Sequence, residues 1–184
     1  MEKSSKFLSL SGWAGIMAGL YALAGAWGAY SYLDFYPTEL EYSHPNMLQV
    51  VTLAVGILVL ALGTAMLFSY KQAYKKGESA WNATSRRMLI HMGIPLLTGG
   101  GLIILLIQAG LTGLAVPLTL VFYGLALYNA GSFTLWEVKG MGLIQIVLGL
   151  ASVLFIQYSL LFWVMGFGAV HIIYGIYIHF RYER

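Results

Sequence analysis

The chain has 184 residues, of which 59% are hydrophobic and only 9% are charged. Soluble domains carry about 25% charged residues, so a chain of this composition cannot cover a water-facing surface. Its mean hydropathy of +0.77 agrees, and we expect residues 1–184 to form a single transmembrane domain. The absence of cysteine excludes disulfides, thiolate catalysis and Cys-ligated metal centres.

Six apolar segments predict six transmembrane helices, each close to the ~20 residues that cross a bilayer. The predicted helices cover residues 8–32, 47–70, 88–107, 114–133, 141–156 and 158–180. The predicted fold class is therefore an all-α polytopic membrane protein. The first apolar run is too long for a secretory signal, so we interpret it as a retained helix. The fifth segment is short, which leaves a re-entrant pair as the alternative to two full crossings.

The basic residues predict the orientation of these helices. With six crossings, the N-terminus, the 71–87 loop, the 134–140 loop and the C-terminus share one side, and they contain every Lys and Arg. The opposite side carries Asp34, Glu39 and Glu41 instead. The positive-inside rule then places both termini in the cytoplasm. Because topology explains the net charge of +3, we expect no nucleic-acid partner.

Helices four and six match in sequence when residues 121–127 are aligned with residues 172–178. Tyr123 and Gly124 then correspond to Tyr174 and Gly175. This match predicts that helices three–four and five–six are parallel copies of one hairpin, an arrangement known in transporters. A chance match between two helices rich in glycine and tyrosine is the alternative.

Most glycines lie inside the predicted helices, where small residues let neighbouring helices approach closely. Helix one has Gly15 and Gly19 at GxxxG spacing. The small size of the chain leads us to expect a homo-oligomer, and this small-residue face is one candidate contact in it. Helix five carries one small and polar stripe, formed by Gly142, Gln145, Gly149 and Ser152. Packing within the monomer is the other interpretation of these faces.

Helix three contains Pro95 and, after it, Thr98, Gly99, Gly100 and Gly101. Proline removes a backbone donor, and each glycine costs about 1 kcal/mol relative to alanine in a helix interior. We therefore expect a kink or an unwound turn near the middle of the membrane. Broken helices of this kind form binding sites in transporters, whereas a kink without a ligand is the alternative.

We predict a ligand site around this break. His171 lies near mid-depth in helix six, Tyr174 follows one turn later, and Gln145 is a polar residue of helix five. Together with Thr98 and the glycines 99–101, they would line a mostly apolar pocket with a few polar anchors. A neutral histidine that is hydrogen-bonded between helices is the alternative interpretation.

Ionisable side chains other than His171 are absent from the depth of the predicted spans, which argues against a proton-coupled pump. Haem requires axial ligands, but His91 and His171 lie at different predicted depths, so we expect no cofactor. The outer loop holds potential ligands for a divalent cation, although orientation alone explains its composition, and we expect no metal. These loop residues are Asp34, Glu39, Glu41 and His44.

A group of basic residues flanks Trp81 on the predicted cytoplasmic side. They are Lys71, Lys75, Lys76, Arg86 and Arg87. Such residues attract anionic lipid headgroups by about 1 kcal/mol each, so membrane lipid is an expected partner. One of the polar residues that follow, Asn82, Thr84 or Ser85, is expected to cap helix three.

Two parts of the chain resemble a known family. They are residues 81–87 (WNATSRR) with residues 94–100 (IPLLTGG), and the ending from residues 161–163 (LFW) through residues 171–175 (HIIYG). Both are similar to a family of conserved bacterial six-helix membrane proteins that has no assigned activity. The resemblance covers most of the chain and implies an inner-membrane location, but it assigns no functional residue.

Catalytic motifs of known pattern, such as a Walker loop, HExxH or paired carboxylates within the membrane, are absent from the sequence, so an enzyme is disfavoured. The leading hypothesis is a helix-lined sensory or accessory module that binds a small apolar or neutral ligand or a lipid. A small transporter or channel for an uncharged solute is the second. A lipid-modifying enzyme that uses His91, His179 and Asn129 near the cytoplasmic interface is the third.

Overall fold

The computed structural model describes residues 11–42, 44–75, 77 and 79–183. This part of the chain is helical and contains no strand. Its long helices are α1 (Gly12–Leu33), α2 (Met47–Lys75), α3 (Ala83–Gln108), α4 (Thr112–Ala130), α5 (Trp136–Leu154) and α6 (Ile156–Glu183). The helix α6 is irregular, because π-helical segments at Val164–Val170 and His179–Glu183 interrupt its α-helical turns.

Five of these helices, α2 to α6, are long and apolar enough to span a membrane. The helix α1 has 22 residues, which at about 1.5 Å per residue match the ~30 Å of a bilayer core. Its hydropathy is lower than that of α2 to α6, because it is rich in glycine, alanine and aromatic residues. The prediction of six long helices is thus confirmed within the described residues, and α5 and α6 are two full-length helices joined by the 3-10 turn Ile156–Tyr158.

The helix ends differ from the prediction where polar residues extend the apolar runs. The helix α2 continues to Lys75, and α3 begins at Ala83. The start of α3 is explained by a capping box, in which the Asn82 side chain accepts from the Ser85 amide at 2.9 Å and the Ser85 hydroxyl accepts from the Asn82 amide at 2.9 Å. Asn82 is therefore the helix cap. The predicted start of helix one at residue 8 lies outside the described residues.

The helices pack in a chain of neighbours. The helix α2 packs on α1, α1 on α6, α6 on α4 and α5, α5 on α4, and α4 on α3. We call the mutually packed α4, α5 and α6 the three-helix core. The outermost helices, α2 and α3, are each only 6% buried over their most apolar window, so most of their surface faces outward.

The small-residue face of α1 is covered by α6. A side chain at Gly15 would come within 3.1 Å of the Gly175 Cα atom, and one at Gly175 would lie 2.6 Å from the Ile16 amide nitrogen. Glycine is therefore required at position 175, and a side chain at position 15 would fit only if the facing backbone moved, because backbone meets backbone. The candidate role of Gly15 and Gly19 in a homo-oligomer is wrong, since both are packed within the chain.

The helix α3 remains α-helical from Ala83 to Gln108, so the unwound turn predicted after Pro95 is wrong. Proline deprives the carbonyl of the residue four positions earlier, His91, of its backbone donor. The Asn129 side chain of α4 donates to that His91 oxygen at 3.4 Å. The other backbone groups keep their helical partners, as a surface in contact with lipid demands.

The two ends of the bundle carry opposite charge. We call one end the basic end, after its residues Arg86, Arg87, Lys139 and Arg181. There the beginning of α1 meets the end of α6, and the Gly12 amide donates to Glu183 at 2.7 Å. At the other end, the 34–42 loop packs on the start of α4, because the Gly113 amide donates to the Leu40 carbonyl at 3.0 Å.

Candidate functional site

A hydrogen-bonded polar cluster lies buried inside the three-helix core. The His171 ring accepts or donates at both nitrogens, with Nε2 lying 2.8 Å from the Tyr123 hydroxyl and Nδ1 lying 3.0 Å from the Gly166 carbonyl oxygen. The Gln145 side chain donates to the same Gly166 oxygen at 2.8 Å. Gln145 of α5 and His171 of α6 therefore meet at the Gly166 carbonyl, in the first π-helical segment of α6, and Tyr123 of α4 joins them through His171.

These contacts determine the tautomer of His171. A carbonyl oxygen only accepts, so Nδ1 must carry a proton and donate it to Gly166. In the neutral ring Nε2 is then the acceptor, and the Tyr123 hydroxyl donates to it. His171 and Gln145 are 5% and 0% exposed, so neither side chain reaches the surface of the described structure.

Aromatic rings surround the cluster on one side. The rings of Trp163 and Phe167 lie 4.9 Å apart between centroids, Phe167 and Tyr123 lie 4.9 Å apart, and Tyr123 and His171 lie 5.4 Å apart. Aromatic pairs at such distances attract one another beyond their burial. The polar groups therefore lie against a wall of aromatic rings in an otherwise apolar environment.

The predicted site residues divide into two sets. His171 and Gln145 come together in the cluster, and Tyr174 lies one turn farther along α6 with its hydroxyl buried. Gly99 packs against the Phe122 ring of α4. In contrast, Thr98 and Gly101 are exposed on α3, and a side chain at Gly100 would meet no atom within 4 Å. The polar groups are thus centred on the three-helix core and not on α3.

Sequence reasoning missed two members of the cluster, Tyr123 and Gly166. Tyr123 had one signal, because it corresponds to Tyr174 when helix four is aligned with helix six. Gly166 had none, because its contribution is a backbone carbonyl. The small and polar stripe of α5 is buried as one face, and its members are Gly142, Gln145, Gly149 and Ser152.

Six buried side-chain atoms of the described residues have no hydrogen-bond partner. They are Thr112 Oγ1, Glu137 Oε2, Gln145 Oε1, Ser152 Oγ, Ser159 Oγ and Tyr174 Oη. All six belong to α4, α5 and α6, and none belongs to the described parts of α1, α2 or α3. Buried polar groups nearly always have partners in folded proteins, so this concentration marks the three-helix core as the place where a polar partner is needed.

Two buried carboxylates lie at the basic end, where the sequence analysis had assigned only loops and a terminus. Glu183 accepts from the Gly12 amide at 2.7 Å and lies 2.7 Å from His179 Nδ1. Glu137 accepts from the Tyr182 hydroxyl at 2.8 Å and lies 3.9 Å from Arg181 Nε. Their side chains are only 6% and 8% exposed. Neither burial is visible in the sequence, because each depends on a partner far along the chain.

Glu183 caps the first turn of α1, so Glu183→Ala is expected to destabilise the protein by about 0.5–2 kcal/mol, the usual effect of losing a helix cap. Thermal unfolding in detergent measures this change. Glu39→Ala, at an exposed position of the 34–42 loop, is the matched control and should have no effect. Equal midpoints for both variants would show that the cap does not form.

Other predicted groups are placed as follows. Lys71, Lys75, Arg86 and Arg87 are exposed, as contact with lipid headgroups requires, and Lys76 lies outside the described residues. Of the three residues proposed for a lipid-modifying enzyme, Asn129 bonds to the backbone carbonyl of His91, whose ring packs against Phe133 at 4.8 Å. His179 instead pairs with Glu183 and packs edge-on to Trp13 at 5.5 Å.

The outer loop does not assemble a cation site within the described residues, where no group of three His, Asp or Glu side chains converges. His44 stacks on Tyr42 at 5.7 Å and accepts from the Asn46 amide at 3.2 Å. Nearby, an open groove of ≈ 430 Å³ runs between α1 and α6. It is apolar and aromatic, and its walls include Trp27, Tyr30 and Tyr158.

Comparison with protein-family models, with curated proteins and with solved structures finds no match to this chain.

Proposed function

We propose that this protein is a membrane-embedded binding module, with a sensory or accessory role, whose ligand is a small neutral molecule or a lipid. The observation that carries the proposal is the cluster of His171, Tyr123 and Gln145 inside an apolar bundle. Ligand sites are typically apolar with a few fixed polar groups, and intramembrane polar residues are by default functional candidates. The polar groups that support this function lie in the three-helix core, and not at the break that the sequence predicts in helix three.

The unpaired atoms in the cluster and one turn beyond it point to the chemistry of the ligand. Gln145 Oε1 accepts hydrogen bonds, and Tyr174 Oη accepts or donates them. A hydroxyl or amide group of a neutral amphiphile is the partner that these atoms fit, and a charged headgroup is not.

The location and assembly belong to the same proposal. The basic residues support an inner-membrane orientation with both termini in the cytoplasm and with anionic lipid headgroups beside Arg86 and Arg87. The outward faces of α2 and α3 support a homo-oligomer, because each helix packs mainly on one neighbour within the chain and leaves most of its apolar surface uncovered. No nucleic acid is involved.

A transporter or channel for an uncharged solute is the second candidate, because the unpaired polar atoms extend along α5 from Glu137 to Ser152. Native mass spectrometry of protein extracted gently from its own membranes tests the first proposal. We expect a reproducible bound mass of a neutral molecule or lipid on an oligomer. A bare protein of defined stoichiometry would reject the binding module and favour transport, which flux into proteoliposomes then measures.

A further inference from the structure

The open groove of ≈ 430 Å³ between α1 and α6 lies at the end of the bundle that carries Asp34, Glu39 and Glu41, which we call the acidic end. Its lining residues come from α1, from the 34–42 loop and from the first turns of α6, and none of them belongs to the polar cluster of the three-helix core. Its volume falls within the range of about 300–1,000 Å³ that is usual for ligand sites.

The part of the groove farther from the acidic end is apolar. It is lined by Leu23 and Ala26 of α1 and by Leu161 and Val164 of α6. Leu23 precedes Tyr30, at the other end of the groove, by two helical turns, so the two positions are about 10 Å apart along α1. The groove thus extends from one end of the bundle toward its middle, which is the direction of an acyl chain in a bilayer.

The part of the groove nearer the acidic end is aromatic. Trp27, Tyr30, Tyr36 and Tyr158 line it, and each of these side chains is at least half exposed. The rings of Tyr30 and Tyr36 are 6.1 Å apart between centroids, and their planes are inclined by 57°. Inclined aromatic rings at this spacing form cages for ammonium groups, because each ring attracts a cation within about 6 Å of its centroid.

The loop residues on both sides of Tyr36 hold it on the groove wall. Phe35 is only 4% exposed, and its amide donates to the Ala29 carbonyl at 3.0 Å. Pro37 is fully buried, and its ring fixes its own backbone angle φ. Tyr36 is therefore positioned before any ligand binds, which lowers the entropy cost of binding.

The charges around the groove favour a cation. Residues 7–70 and 140–180 include every part of the groove and contain no Lys or Arg. Asp34 and Glu39 are exposed in the loop that carries Tyr36, so they attract a positive group and repel an anionic headgroup. Gln157 also lines the groove, and its amide can donate to a phosphate oxygen. These groups together complement a headgroup that has an ammonium, a phosphate and no net charge.

We propose that this groove binds one zwitterionic phospholipid with an ammonium headgroup. The ammonium lies between the Tyr30 and Tyr36 rings, near the carboxylates of the 34–42 loop, and one acyl chain lies between α1 and α6. The proposal goes beyond the ligand of the three-helix core and does not require it, because the two sites share no residue.

Native mass spectrometry of the full-length protein in detergent, titrated with dioleoyl phosphatidylethanolamine, tests the proposal. Tyr30→Leu and Tyr36→Leu keep an apolar side chain but remove the aromatic face. Each is expected to weaken binding about fivefold, the effect of losing one cation–π contact of about 1 kcal/mol. Tyr70→Leu is the matched control, because it makes the same change at an exposed tyrosine of α2 beside Lys71, and it should not change the affinity.

Dioleoyl phosphatidylglycerol has the same acyl chains but an anionic headgroup without an ammonium. Its affinity should be the same in the parent protein and in both groove variants. Equal weakening of the two lipids would overturn the proposal, because the groove would then hold acyl chains without recognising the headgroup. Unchanged phosphatidylethanolamine binding in both variants would also overturn it, as would conversion of an oligomer to monomers, which would make the groove an interface between copies.

Gln145→Leu separates this site from the three-helix core. It changes the buried cluster and leaves the groove intact, so its affinity for phosphatidylethanolamine should equal that of the parent protein. Weaker binding in Gln145→Leu, with full binding in Tyr30→Leu and Tyr36→Leu, would place the lipid in the core and overturn the proposal.

Discussion

Gly175→Ala is expected to destabilise the protein by about 1–3 kcal/mol, the usual effect of overpacking a close contact. A methyl group at this position would lie 2.6 Å from the Ile16 amide nitrogen and 2.9 Å from the Ile16 Cγ1 atom, so α1 and α6 must separate. Because this contact joins α1 and α2 to the three-helix core, its loss affects the whole bundle. Denaturant unfolding in mixed micelles measures the change.

Gly100→Ala is the matched control, because it adds the same methyl group at a helical position with free space around it. A methyl group there meets no atom within 4 Å. Alanine is a better helix former than glycine by about 1 kcal/mol, so this variant should be as stable as the parent protein or more so. If both variants lose the same stability, the α1–α6 contact is not formed as described.

His171→Leu is expected to destabilise the protein by about 1–3 kcal/mol, because the Tyr123 hydroxyl then loses its acceptor inside the core. Nε2 and this hydroxyl are in direct contact at 2.8 Å, so a second substitution should offset the loss. Adding Tyr123→Phe to His171→Leu removes the unpaired hydroxyl and should restore part of the lost stability.

A double-mutant cycle in unfolding free energy measures this interaction. Residues that share a hydrogen-bond network typically show coupling of about 0.5–3 kcal/mol. Tyr21→Phe replaces Tyr123→Phe in the control cycle, because Tyr21 bonds to Thr64 on α2, away from the cluster. Additive effects of His171→Leu and Tyr123→Phe would contradict the hydrogen bond.

The helices and the buried faces could be predicted because lipid enforces simple rules. Apolar length predicts a span, and small or polar residues on one face predict close packing, as the stripe from Gly142 to Ser152 shows. The duplication of helices three–four in five–six stays a prediction. The orientation of the chain also stays a prediction, based on the distribution of Lys and Arg.

The errors came from interactions that join distant parts of the chain. Pro95 and its neighbouring glycines suggested a break, but the Asn129 side chain supplies the donor that Pro95 lacks, and backbone bonding in lipid preserves the remaining turns. Conversely, α6 carries no proline and yet forms two π-helical segments. Burial of Glu137 and Glu183 depends on Tyr182 and Gly12, which no local pattern indicates.

In the proposed function the three-helix core, and not α3, holds the ligand. Native mass spectrometry of Gln145→Leu and Thr98→Ala, compared with the parent protein, distinguishes these two locations. Gln145 lies in the buried cluster and leucine has a similar size, whereas Thr98 is exposed on α3. We expect Gln145→Leu to lose the bound mass and Thr98→Ala to keep it. Loss of the mass in Thr98→Ala with full occupancy in Gln145→Leu would show that α3, and not the three-helix core, holds the ligand.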